Sequence, residues 1–205
     1  MFEKIAANIT RQMADENLIK YEQEEYYSYA IITQGEQIIT IGTILLISMV
    51  IGQFHLTVLF LLYFLSLRKH TGGYHTNSFV RCYIGTVVTC LALICVNKIL
   101  IKHIFVLVFL LLVSIGIIGI IGTVNHPNMH MKKKELAGSK RAARLSVLAE
   151  GISIFLLYLM DVSITCIGAM AVAVILCAIL LCLAKIIKQE VVESEENQQT
   201  GIEDR

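Results

Sequence analysis

Arg68-Lys69-His70-Thr71-Gly72-Gly73-Tyr74-His75-Thr76-Asn77-Ser78-Phe79-Val80-Arg81-Cys82 is a polar, basic island set between apolar runs. The twelve residues before it, 56–67, carry no charge, and from Tyr83 the chain is apolar again. Charge gathered into islands between long uncharged runs is the pattern of a chain that crosses a membrane repeatedly. The island is where such a chain keeps its chemistry.

Working outward, the composition agrees. Of 205 residues 56% are apolar, with one proline, no tryptophan and a net charge of +1. Apolar runs fall at 30–51, 56–67, 83–97, 104–122, 145–160 and 165–184, which predicts an all-α polytopic integral membrane protein of about six transmembrane helices. The run 56–67 is too short to cross a hydrocarbon core of about 30 Å unaided. It borrows Gln53-Phe54-His55, thins the bilayer, or re-enters. The first 27 residues hold acids, bases and amides without an apolar core, so no secretory signal is expected there. Phe2, Ile5, Ile9 and Met13 recur at steps of three and four against Glu3, Lys4, Arg11, Gln12 and Asp15, which predicts an amphipathic helix on the inner leaflet over 1–27. An ordinary packed helix fits the same pattern. A single helical membrane domain is then expected over 28–187, with the catalytic segment 68–82 and a basic loop 123–144 on its cytoplasmic side. The acidic end 188–205 reads as a disordered cytoplasmic tail. With six crossings and the N-terminus inside, every lysine and arginine except Lys98 and Lys102 falls on the inner face, fifteen of the seventeen, as the positive-inside rule asks. The expected location is a plasma membrane with both termini cytoplasmic.

The island has the parts of an activated thiol: His75, a cysteine seven residues on, and Arg81 directly before it. No acid occurs between Glu36 and Glu135, so the cations around Cys82 favour the thiolate. A cap at Asn77 or Ser78 would also place Cys82 near a helix start. On one straight helix His75 and Cys82 would lie about 10.5 Å apart along the axis, beyond hydrogen-bond reach. A working pair therefore needs a bend, for which Gly72-Gly73 and Thr76-Asn77-Ser78 are suited. The glycines would also let an extended substrate approach closely. Asn77 nearby, or Glu150 from another span, could orient the imidazole; Glu36 is a third candidate. A helix-to-helix hydrogen bond is the plainer role for Glu150.

Two other constellations compete. His126 and His130 have the spacing of two metal ligands but lack a third, and no metal or other cofactor is expected. Lys132-Lys133-Lys134, with Lys140, Arg141 and Arg144, is a topology anchor or a dock for an acidic peptide segment. The remaining cysteines, Cys90, Cys95, Cys166, Cys177 and Cys182, sit inside apolar runs and read as small hydrophobes.

Arg68, Gly72-Gly73, His75 and Cys82 together resemble the signature of the AgrB family, membrane cysteine endopeptidases that mature cyclic quorum-sensing peptides. Chain size, the number of apolar runs and the basic loop near residue 133 are similar as well. The resemblance implies Cys82 and His75 as catalytic residues and an AgrD-like membrane-associated propeptide as substrate, cleaved through a thioester and cyclised to a thiolactone or lactone. Arg68, Gly72, Gly73, Arg81, Lys132, Lys133 and Lys134 would position the substrate. It further implies a homodimer within the lipid bilayer; no nucleic acid is expected. Gly116, Gly119 and Gly122 would permit close helix contact, within or between copies. The competing reading is a non-enzymatic small transporter or interaction protein for an anionic solute, in which Cys82 would be dispensable.

Overall fold

A computed structural model describes residues 2–16, 18–21, 24–71, 79–124 and 133–187. The chain is all-helical among these residues: α1 (Phe2–Asp15), α2 (Glu24–Val50), α3 (Phe54–Thr71), α4 (Phe79–Leu100), a 3-10 turn (Ile101–His103), α5 (Ile104–Ile121), α6 (Lys133–Leu159) and α7 (Ile164–Ile186). Among the described residues four stretches are long and apolar enough to cross a membrane: Ala30–Val50, Tyr83–Ile121, Leu136–Leu159 and Ile164–Ile186. The apolar runs suggested about six spans. The difference has two sources. The runs at 83–97 and 104–122 lie in one stretch of 39 residues, interrupted only by the 3-10 turn and by His103, whose φ of −120° and ψ of 64° leave the helix. The short run 56–67 sits in α3, whose 18 residues measure about 27 Å and end on Arg68, Lys69 and His70.

The chain forms two compact units, Met1–Gly52 with Asn77–Cys90, and Gln53–Thr76 with Leu91–Arg205. In the first, α1 packs on α2. The buried stripe of α1 is Ala6, Thr10 and Ala14 at steps of four, with the Thr10 hydroxyl donating back to the Ala6 carbonyl at 3.0 Å. Ile5 and Ile9 of the expected apolar face remain exposed. Small residues let a helix approach its neighbour closely, which is why this stripe meets α2. Near the start of α4, Tyr83 donates to Thr43 of α2 at 3.2 Å. Gly52 ends the unit with a φ of 72°, the left-handed conformation glycine adopts after a helix.

In the second unit α7 touches α3, α5 and α6. Gly168, Ala169, Ala171, Ala173, Ala178 and Ala184 are among its buried residues, so half of its core positions present only backbone or a methyl. At Gly168 the fit is closest. A side chain there would collide with the Asn97 amide oxygen, and its Cβ would lie 2.7 Å from Ile101. The same Asn97 donates its amide to the Thr165 carbonyl at 3.1 Å.

Candidate functional site

The island divides between described and undescribed residues. Gly72, Gly73, His75 and Asn77 lie outside the described residues, as do Lys132, His126 and His130. Arg68 is half-buried in the last turn of α3. Arg81 and Cys82 belong by their backbone to the first turn of α4, which begins at Phe79. Lys133 and Lys134 open α6 in the same sense. A helix start leaves its first amide N–H groups without intrahelical partners and carries the positive end of the macrodipole.

Where α3 ends, its last carbonyl needs partners from elsewhere. Thr71 is fully buried. Its carbonyl oxygen accepts from the Thr123 hydroxyl at 3.1 Å and from the Val124 amide at 3.3 Å. Thr123 and Val124 are buried too. They follow α5 through Gly122, whose φ of 74° turns the chain and whose amide closes on the Ile118 carbonyl at 2.7 Å. Lys140 of α6 packs its stem against Gly122, the nearest atom 3.1 Å from where a Cβ would stand. Arg144 then donates to the carbonyls of Gly119 and Ile120 at 2.8 and 3.4 Å, a cation on the negative end of α5. This junction gave no signal in the sequence, where Thr71 and Thr123 are ordinary threonines 52 positions apart.

Deeper in the unit lies a second polar group of residues. Tyr63 on α3 meets Ser153 on α6 at 2.7 Å, and Ser153 donates to the Glu150 carbonyl. The Cys177 thiol points to the Phe64 carbonyl at 3.7 Å, within electrostatic range of Arg68 and Glu150. Glu150 is buried, and neither carboxyl oxygen has a hydrogen-bond partner among the described residues, although the Ser66 hydroxyl of α3 lies near it. Among the described residues no three metal-ligating side chains cluster.

These features define a polytopic helical membrane protein whose polar groups collect at helix ends and in one internal cluster. The family model of AgrB, accessory gene regulator B, matches residues 3–189. The chain belongs to the AgrB family, which ties it to quorum-sensing peptide processing in the accessory gene regulator system. No curated protein and no solved structure matches it.

Proposed function

We propose that the protein is a membrane cysteine endopeptidase that removes the C-terminal tail of a small propeptide and promotes its cyclisation. The reading is carried by family membership over 3–189, together with the position of Cys82 in the first turn of α4, where a helix favours negative charge. His75 accepts the Cys82 proton as the sulfur attacks the carbonyl carbon at the future ring's end. The C–N bond breaks, the imidazolium returns the proton to the leaving amine, and the tail departs. The peptide stays on Cys82 as a thioester. A cysteine thiol or serine hydroxyl within the peptide then attacks that carbonyl and gives its proton to His75; the bond to the Cys82 sulfur breaks, the sulfur regains the proton, and a thiolactone or lactone forms. Exchange of thioester for thiolactone conserves the activation of the acyl group when water is kept out. Arg68, Arg81, Gly72 and Gly73 position the peptide, Lys132–Lys134 hold its acidic tail, and Asn77 or Glu150 orients His75. The working form is a homodimer in the plasma membrane with both termini cytoplasmic.

The test is a proteoliposome assay with the encoded propeptide, read by mass spectrometry. Wild type is expected to release the tail and to carry a peptide adduct on Cys82, and Cys82→Ala to do neither. Tail release by folded Cys82→Ala overturns the mechanism.

A further inference from the structure

On α6, charge and exposed apolar surface stand in one line. Arg141, Leu145, Leu148, Ile152, Phe155 and Leu159 are all exposed and recur at steps of four and three, so they share one face of the helix over about 27 Å. Ala143, Val147, Glu150 and Ile154, on the opposite face, are buried. Arg141 therefore points away from the protein, directly above a stripe that acyl chains cover in a membrane.

More cations gather at the head of that stripe. Arg144 is exposed and lies about 60° round the helix from Arg141 and about 4.5 Å along it. Its Nε and one Nη donate to the carbonyls of Gly119 and Ile120, which leaves three of the five N–H groups of a guanidinium for other acceptors. Lys140 packs its stem on Gly122. The next residue, Thr123, donates to the carbonyl of Thr71, two positions after the exposed Lys69. The ends of α3 and α5 and the first turns of α6 thus meet at one level. Neither α3 nor α5 contains an acid, and α6 holds only Glu135 and Glu150. Glu150 is on the buried face, about 13.5 Å along the axis from Arg141.

We propose that Arg141 and Arg144, flanked by Lys140 and Lys69, bind the phosphate of an anionic phospholipid whose acyl chains lie along Leu145, Leu148, Ile152 and Phe155. The occupant follows from the continuity of the two surfaces. An acidic peptide segment would satisfy the cations and leave the stripe, whereas an anion joined to hydrocarbon satisfies both at once. Two guanidinium forks match the oxygens of a phosphodiester better than point charges would. A zwitterionic lipid brings its own cation, which the arginines repel. The positive-inside rule assigns this basic end to the cytoplasmic leaflet, where anionic lipid is found.

The test follows thermal unfolding of the full-length protein in dodecyl maltoside micelles as dioleoylphosphatidylglycerol is added. Dioleoylphosphatidylcholine, inorganic phosphate and glycerol 3-phosphate are added in parallel. Phosphatidylglycerol is expected to raise Tm, as a ligand of the folded state does, at concentrations about tenfold below those phosphatidylcholine needs. The two anions without chains should leave Tm unchanged. An equal rise with either of them means a free-phosphate site and overturns the lipid, as does an equal rise with phosphatidylcholine. Because Arg141 is exposed, Arg141→Gln should fold as the wild type does, and should weaken phosphatidylglycerol about tenfold. Arg141→Lys keeps the charge without the fork and should weaken it about threefold. Lys98→Gln removes the same charge from an exposed position on α4 and should change the affinity less than about twofold. Equal losses in Arg141→Gln and Lys98→Gln would reduce the effect to net charge and overturn the site. Wild-type affinity in both Arg141 variants also overturns it; a raised KM for the propeptide in those variants would then assign the face to an acidic peptide segment, and a changed oligomer mass to a second copy.

Discussion

α7 and the stretch that ends in α5 are almost equally apolar, with mean hydropathies of 3.0 and 3.3, yet their surroundings are opposite. In α7, 67% of the most apolar window is buried inside the protein; in the other stretch, 17%. Side-chain size accounts for the contrast. The buried positions of α7 are rich in glycine and alanine, which let three helices approach its backbone. The exposed positions of α5 include Phe105, Phe109, Leu112 and Ile120, large side chains that lipid tails solvate as well as another helix would. Hydropathy reports the medium a helix lives in. Residue volume reports which helix becomes the hub.

That contrast can be broken by filling the hub. Gly168→Leu has no room beside Asn97 and Ile101, and should destabilise by about 3 kcal/mol, seen as a lower unfolding midpoint in bicelles. A stability close to wild type would mean that α7 is not held where the structure puts it. Next in size, Leu181→Ala, fully buried on α7, should cost about 2 kcal/mol, while Phe109→Ala, exposed on α5, should stay within about 0.5 kcal/mol. Equal costs would show that the exposed face of α5 is covered by a second copy instead of lipid. The smallest effect sharpens the polar side of the comparison. Tyr63→Phe removes the bond to Ser153 and should cost about 0.6 kcal/mol, the usual worth of an interhelical hydrogen bond in a membrane. In a Ser153→Ala background it should cost almost nothing.

Much of the architecture was legible because apolar runs and basic islands obey the dielectric of the bilayer. Helix ends were less so, since a helix does not stop where the hydrocarbon does. α6 begins at Lys133, although its apolar run begins near residue 145, because lysine, arginine, glutamate and alanine are good helix formers. α2 likewise begins at Glu24, ahead of the run at 30. The stripe that packs α1 on α2 is hidden from hydropathy for the same reason as the hub: Ala6, Thr10 and Ala14 are weakly apolar but small. Of the candidate site, the sequence pattern marks Cys82, His75 and the flanking cations. The joint through Thr71 and Thr123 depends on backbone carbonyls, which every residue has, so no residue pattern could announce it. Glu150 was visible as an intramembrane acid, but the burial of its carboxyl near Ser66 is a property of packing.

The 39-residue stretch from Tyr83 to Ile121 also bears on how the chain enters the membrane during synthesis. Straight, it would be about 58 Å long, nearly twice the hydrocarbon thickness. The insertion machinery therefore receives one segment, broken only by the 3-10 turn, that is long enough to be threaded as a single crossing or as two, and the orientation of everything after it inverts between the outcomes. Lys98 and Lys102 stand near its middle, where a lysine in the bilayer centre costs about 2.5–3.5 kcal/mol. Lys98 before the 3-10 turn and Lys102 within it thus weigh against a single crossing centred on them.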